Sequence, residues 1–171
     1  MSTTETLSPA IPTDIERAAE RLLKSACKAD LKLATAESCT GGLVASLLTD
    51  VEGASHAFDR GFVVYTEEAK CELLGLAPRQ IDQCGVVSHD VAVAMAEGAL
   101  AASHADIAFA VTGFAGRGGE GDEPGLVHFA CARTGRETMH REEHFGDVGR
   151  GPVRIECLRV AVEMMQEAVD G

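Results

Sequence analysis

Tryptophan is absent from this chain of 171 residues and tyrosine occurs once, so aromatic residues make up only 4% of it. That scarcity singles out Tyr65. Basic clusters are missing as well: 15 Lys and Arg face 27 Asp and Glu, for a net charge of −12. Nucleic-acid binding by counterion release needs a basic face, so it is excluded as a partner class. A small anion could still be held by local N–H groups and a few arginines. The six cysteines, at 27, 39, 71, 84, 131 and 157, form no C-x-x-C pair. Neither a metal centre nor a redox pair is expected from them. The six histidines show no H-x-x-x-H spacing and are expected on the surface or in packing roles. Long apolar runs are also lacking, which excludes a membrane span. The opening MSTTETLSPAIP has neither the basic nor the apolar region of a secretory signal. The expected location is the cytoplasm, with thiols reduced.

What is present is the balance of a globular protein, 46% hydrophobic and 25% charged. The length suits one domain with a full core. Residues 1–12 read as a loose tail and 13–171 as the domain. Thr13 and Asp14 are placed to cap a first helix running to about residue 29, with Ile15, Ala18, Ala19, Leu22, Leu23 and Ala26 on one face. A strand is expected at 31–36, a helix at 40–50, a buried strand at 61–65 and a helix from Thr66 to Leu74 that Gly75 and Pro78 stop. Ser88 opens the most regular helix. Strand-like runs follow at 106–112, 126–133 and 137–145, the last two joined by a hairpin-type turn. An amphipathic helix over 153–169 closes the chain. Strands alternating with helices, ending in a hairpin, predict a single three-layer α/β/α domain with a mixed sheet.

The stretch at 35–42, TAESCTGG, follows the first strand and carries three candidate nucleophiles, Ser38, Cys39 and Thr40. Placed at a helix N-terminus, a hydroxyl or thiol there would have unpaired N–H groups and the macrodipole to favour developing negative charge. Gly41 and Gly42 would let a substrate approach the backbone. Two other segments end apolar strands, 65–70 and 112–119. Ligands of open α/β sheets bind outside the carboxyl ends of strands, so the three are expected to share one crevice. A serine needs a base, and Lys70 can serve if desolvation lowers its pKa. The Tyr65 hydroxyl could relay the proton. On local pattern, Cys39 remains open as nucleophile.

Two motifs fail their context. Gly116-x-Gly118-x-x-Gly121 matches a dinucleotide fingerprint, but no helix is expected after it. Tyr65 and Lys70 are one residue too far apart for a dehydrogenase pair.

Taken in order, the segments resemble the C-terminal domain of the competence/damage-inducible protein CinA, whose standalone form is nicotinamide-nucleotide amidase. The likeness rests on 36–42 (AESCTGG), 60–65 (RGFVVY), Glu68-Ala69-Lys70 with Leu74-Gly75, 85–88 (GVVS) and 112–116 (TGFAG), and covers about residues 15–169. It implies hydrolysis of the carboxamide of nicotinamide mononucleotide to nicotinic acid mononucleotide and ammonia, in pyridine nucleotide salvage. No metal and no organic cofactor are implied. Carried to matching positions, it makes Ser38 the nucleophile with Lys70 and Tyr65 activating it. Glu37, Thr40, Gly41, Gly42, Thr112, Gly113, Gly116, Arg117 and Arg150 would hold the small-molecule nucleotide. Where the family has Gly-Pro, this chain has Gly116-Arg117, in a loop about two residues shorter. Val148 stands where the family has Arg, and Arg150, in a small insertion at 148–152, is expected to replace that cation. Larger members carry a separate N-terminal domain, which is not expected in these residues. A homodimer or higher homo-oligomer is expected, from the resemblance and from the extent of the apolar helix faces around 88–103 and 153–169. The departures in the glycine loop motivate an alternative, a non-catalytic nucleotide-binding or regulatory module. A thiol hydrolase or redox protein using Cys39 is a third reading.

Overall fold

A computed structural model describes residues 11–171. The tail expected at 1–12 lies, apart from Ile11 and Pro12, outside the described residues. Five strands form one mixed sheet in the order β2-β1-β3-β4-β5. They are β1 (Leu33–Glu37), β2 (Phe58–Val63), β3 (Ile107–Gly113), β4 (Leu126–Arg133) and β5 (Met139–His144). The first three run parallel, while β4 and β5 pair antiparallel as the expected hairpin. Helices α1 (Thr13–Lys28), α2 (Leu43–Thr49) and α6 (Arg150–Asp170) cover one face. The other face carries α3 (Glu67–Leu74), α4 (Pro78–Cys84) and α5 (His89–Ala101). This is the three-layer α/β/α arrangement predicted from the pattern.

The two faces are packed with different side chains. Leu33, Ile107, Phe109, Val111, Val127, Phe129 and Cys131 point towards α1, α2 and α6. The alternate positions, Ala34, Ala36, Ala108, Ala110, Ala130 and Ala132, point towards α5. Alanine lets a helix lie close to the sheet. α5 also lies close to its neighbour α3: a Cβ added at Gly98 would stand 2.1 Å from the Leu74 carbonyl oxygen.

Several boundaries differ from expectation for physical reasons. α1 has Pro12 at its cap without a side-chain bond, so Thr13 and Asp14 form the first turn and Asp14 pairs with Arg159. β2 starts three residues earlier than expected and is an edge strand, half-buried rather than buried. Pro78 does not simply stop a helix; it opens α4, because a missing N–H costs nothing in a first turn. α2 begins at Leu43, not Thr40. α6 begins at Arg150, so the 148–152 insertion merges into its first turn. The apolar faces of α5 and α6 are covered by the sheet, which removes that argument for an oligomer.

Candidate active site

β1, β2 and β3 deliver their carboxyl ends to the same edge of the sheet, and a crevice of about 270 Å³ opens there. Ser38 lies on its floor, with Tyr65, Val86, Thr112, Phe114 and Arg150 around it. Pairing fixes the floor: the Ser38 N–H donates to the Val111 carbonyl (3.1 Å), and the Val64 N–H donates to the Glu37 carbonyl (2.9 Å). Three chain segments remote in sequence are thereby locked side by side.

Lys70 comes from the second turn of α3, whose N-cap, Thr66, accepts the Ala69 N–H. Its side chain is fully buried, and Nζ lies 3.2 Å from Ser38 Oγ. The amine also donates to the Val64 carbonyl (2.9 Å) and the Tyr65 carbonyl (3.4 Å). Burial pushes the Lys70 pKa down, against the opposing pull of Cys39, Glu67 and Cys71. A neutral amine has two N–H bonds and one lone pair. In that form the amine would donate to the two carbonyls and turn its lone pair to the serine proton, whereas as an ammonium it would donate to all three oxygens.

Tyr65 occupies a different position from the one its expected role needs. Its carbonyl meets the amine, whereas its ring is 68% exposed on the crevice rim. The phenol has no hydrogen-bond partner among the described residues. Cys39 also lines the crevice, but its thiol packs in the core beside Cys157, whose own thiol is pushed well up by that contact and by burial. Only the serine of the SCT triplet meets the amine, since the Thr40 hydroxyl donates to Glu37 Oε1 at 2.7 Å.

Glu37 was expected to face a ligand. It is instead fully buried, and its carboxylate accepts the N–H groups of Val44 (2.8 Å) and Ala45 (3.0 Å) as well as the Thr40 hydroxyl. The start of α2 is therefore already occupied by a carboxylate, which corrects the expectation of free N–H groups there. The Gly41 N–H is used too, by the Ser38 carbonyl. The N–H groups of Thr40, Ala115 and Gly116 are without acceptors among the described residues.

The remaining expected residues divide. Thr112, Gly113 and Gly116 line the crevice, although the Thr112 hydroxyl is committed to the Val86 carbonyl at 2.9 Å. Arg150 crosses over Gly116, where an added Cβ would lie 3.1 Å from the guanidinium. Gly41 and Gly42 lie behind Ser38 at φ of 60° and 100°, a region favouring glycine. Arg117 is not in the crevice; it is 85% exposed and pairs with Asp147 at 3.3 Å. Sequence reasoning missed the apolar wall of Val86 and Val87, which carries no chemical signal of its own. Arg154 braces the serine turn, its Nε donating to the Cys39 carbonyl at 2.9 Å. No group of three or more side chains among the described residues could hold a metal.

The model of the CinA C-terminal domain family matches residues 15–169. The chain belongs to that family. The CinA-like protein of Akkermansia muciniphila is 53% identical over 111 residues, which are 64% of this chain and 27% of that protein. The chain thus spans about a quarter of the length of such relatives. The nicotinamide-nucleotide amidohydrolase PncC of Escherichia coli is 45% identical over 134 residues, 77% of this chain and 80% of that protein. Among solved structures, the competence/damage inducible protein CihA from Agrobacterium tumefaciens superposes with a TM-score of 0.91 at 42% identity, covering 96% of this chain and 100% of that one. The CinA fold predicted from the motifs is therefore the observed one.

Proposed function

We propose that this protein is a nicotinamide-nucleotide amidohydrolase that converts nicotinamide mononucleotide to nicotinic acid mononucleotide and ammonia, in pyridine nucleotide salvage. The observation that carries the reading is the 3.2 Å contact between a buried, desolvated lysine amine and the Ser38 hydroxyl at a strand end. Similarity to the Escherichia coli amidohydrolase supplies the substrate class.

In this mechanism Lys70 accepts the Ser38 proton as Oγ attacks the amide carbon. The carbonyl oxygen becomes an oxyanion, and the free N–H groups of Thr40, Ala115 or Gly116 are the available donors. One such donor is worth about 3 kcal/mol in related chemistry. The Lys70 ammonium returns its proton to the leaving nitrogen, and ammonia departs. Water then attacks the acyl-serine while Lys70 takes its proton, and Lys70 returns that proton to Ser38 Oγ as the acyl C–O bond breaks and the acid product leaves. Thr112, Gly113, Gly116 and Arg150 serve as the substrate wall, with Arg150 the cation for the phosphate. Tyr65, at the crevice rim, is the proposed proton relay to the reacting oxygen. No metal or cofactor takes part.

A homo-oligomer belongs to the same proposal. Val63 and Tyr65, at and just beyond the end of edge strand β2, and Leu73 on α3 are apolar residues half or more exposed. Light scattering on the eluting protein tests it, and a monomer mass would refute it. Among the described residues no helix is long and apolar enough to cross a membrane; a cytoplasmic location is proposed with the substrate.

The direct test is ammonia release from nicotinamide mononucleotide, with an acyl adduct on Ser38 trapped by mass spectrometry. Release abolished by Ser38→Ala supports the reading. A thermal shift with the nucleotide but no turnover would favour a non-catalytic binding module. Loss of activity in Cys39→Ala with retention in Ser38→Ala would move the nucleophile to the thiol.

A further inference from the structure

We infer that Glu37, sealed behind the serine, is the positioning residue that sets Ser38 within reach of Lys70. The inference deepens the amidase reading and rests on it only for the turnover arm of the test below. The carboxylate takes three donors from one short stretch: the Thr40 hydroxyl at 2.7 Å and the backbone N–H groups of Val44 and Ala45 at 2.8 and 3.0 Å. Those donors span the turn on which Ser38 sits. Two consecutive glycines at positive φ, Gly41 and Gly42, make that turn conformationally permissive. Its shape is therefore imposed from inside, by the carboxylate.

The main chain of the same residue reaches the other half of the pair. The Glu37 carbonyl accepts the Val64 N–H, and the Val64 carbonyl accepts the Lys70 amine. Glu37 thus ties to the nucleophile's turn through its side chain and to the base's anchor through its backbone. A fully buried carboxylate is costly unless every oxygen is well satisfied. Here the donors come from the serine turn (Thr40) and from the first turn of α2 that follows it (Val44 and Ala45). The crevice contains no atom of this side chain, so it touches neither substrate nor the reacting atoms.

Replacing Glu37 by glutamine keeps the volume but sets an NH₂ group against a donor, so at least one of the three bonds is lost. The test is the rate at which a fluorophosphonate probe labels Ser38 in the intact protein, followed from pH 6 to 10, with melting curves confirming the fold. For Glu37→Gln we expect labelling to slow about ten-fold or more, as for a displaced near-attack geometry. The pH midpoint, which belongs to Lys70, stays where it is. With nicotinamide mononucleotide, kcat falls and KM holds. Thr40→Val keeps both backbone bonds and shows a smaller fall in the same direction; it carries the test if Glu37→Gln does not fold. Labelling at the unsubstituted rate in a folded variant overturns the inference, as does a raised KM at constant kcat, which would make Glu37 a substrate contact. Labelling of Ser38 without turnover removes the amidase reading alone and leaves the Glu37 comparison decisive. A chain never labelled at Ser38 removes both.

Discussion

The two faces of the sheet are built from different residues, and the proposed nucleophile and its base lie on one of them. Along β1, Leu33 and Thr35 lead to Glu37 on the large-residue face, while Ala34 and Ala36 lead to Ser38 on the alanine face. On β3 the alanine row ends in Thr112, and on β4 it ends in His128, which pairs with Thr112 in register. Each alanine row thus finishes in a polar residue at or beside the crevice. The bulky face supplies most of the apolar burial, whereas the small residues let α3 and α5 come close enough to deliver Lys70. Stability and reactivity are divided between the two sides of five strands.

That division can be broken experimentally. Lys70→Met removes the amine at similar volume, and we expect amidase activity to fall by about 10²–10⁴, the usual range for a general base. The melting temperature should hold or rise, because a buried amine is replaced by an apolar chain; an assay of ammonia release beside calorimetry checks both. On the bulky face, Phe109→Ala should cost about 3–5 kcal/mol in a denaturant titration, since it empties a fully buried site whose ring centre lies 6.1 Å from that of Phe129. On the alanine face the sign of the volume change reverses. Ala110→Leu should cost about 1–3 kcal/mol by overpacking against α5, and should lower activity more than Phe109→Ala does in the folded fraction.

A smaller effect concerns the histidines beyond the crevice wall. His128 and His140 share a 3.0 Å hydrogen bond, and His89 at the start of α5 packs 4.2 Å from His140 between ring centres. Burial, helped by the neighbouring His89, holds both His128 and His140 below their ordinary value of 6.5, against the opposing pull of Glu142. The unfolded chain binds more protons than the fold in that window, so their contribution is full above about pH 6.5 and is lost as pH falls through the lowered values. Exposed His144, held between Glu123 and Glu142, is shifted up and has the opposite sign, losing its contribution as pH rises. Melting temperature should therefore fall from pH 7 to pH 5, and His140→Phe should flatten that slope. Arg117→Ala should be nearly neutral, within about 0.5 kcal/mol, because its pair with Asp147 is exposed.

The sequence made the architecture legible where the pattern was strong. Leu126–Arg133 was placed to the residue, and the helices expected to open at Ser88 and Thr66 begin one residue later, with those residues as their N-caps. β2 was misplaced because edge strands lack a full apolar run; Asp59 and Arg60 lie within it and pair with each other. α4 was hidden behind Pro78, whose reading as a stop overlooked its suitability for a first turn. The contact of Ser38 with Lys70 was expected from chemistry, and the geometry brings those atoms together across 32 positions of separation. Side-chain direction was the illegible part. Nothing in AESCTGG tells that Glu37 points inward to cap α2, that Cys39 faces the core, or that Arg117 leaves the crevice, because orientation is decided by the pairing of distant strands.

The central claim is that burial beside Ser38 holds the Lys70 amine below the ordinary lysine value of 10.5. A nitrogen-15 NMR titration of the lysine side-chain amines measures this directly. The account predicts one amine, missing in Lys70→Met, that titrates below that value and loses its shift in Ser38→Ala least of all its properties, since burial rather than the hydroxyl sets it. A Lys70 midpoint at or above 10.5 would contradict the account, for the serine would then have a permanent cation beside it and no base.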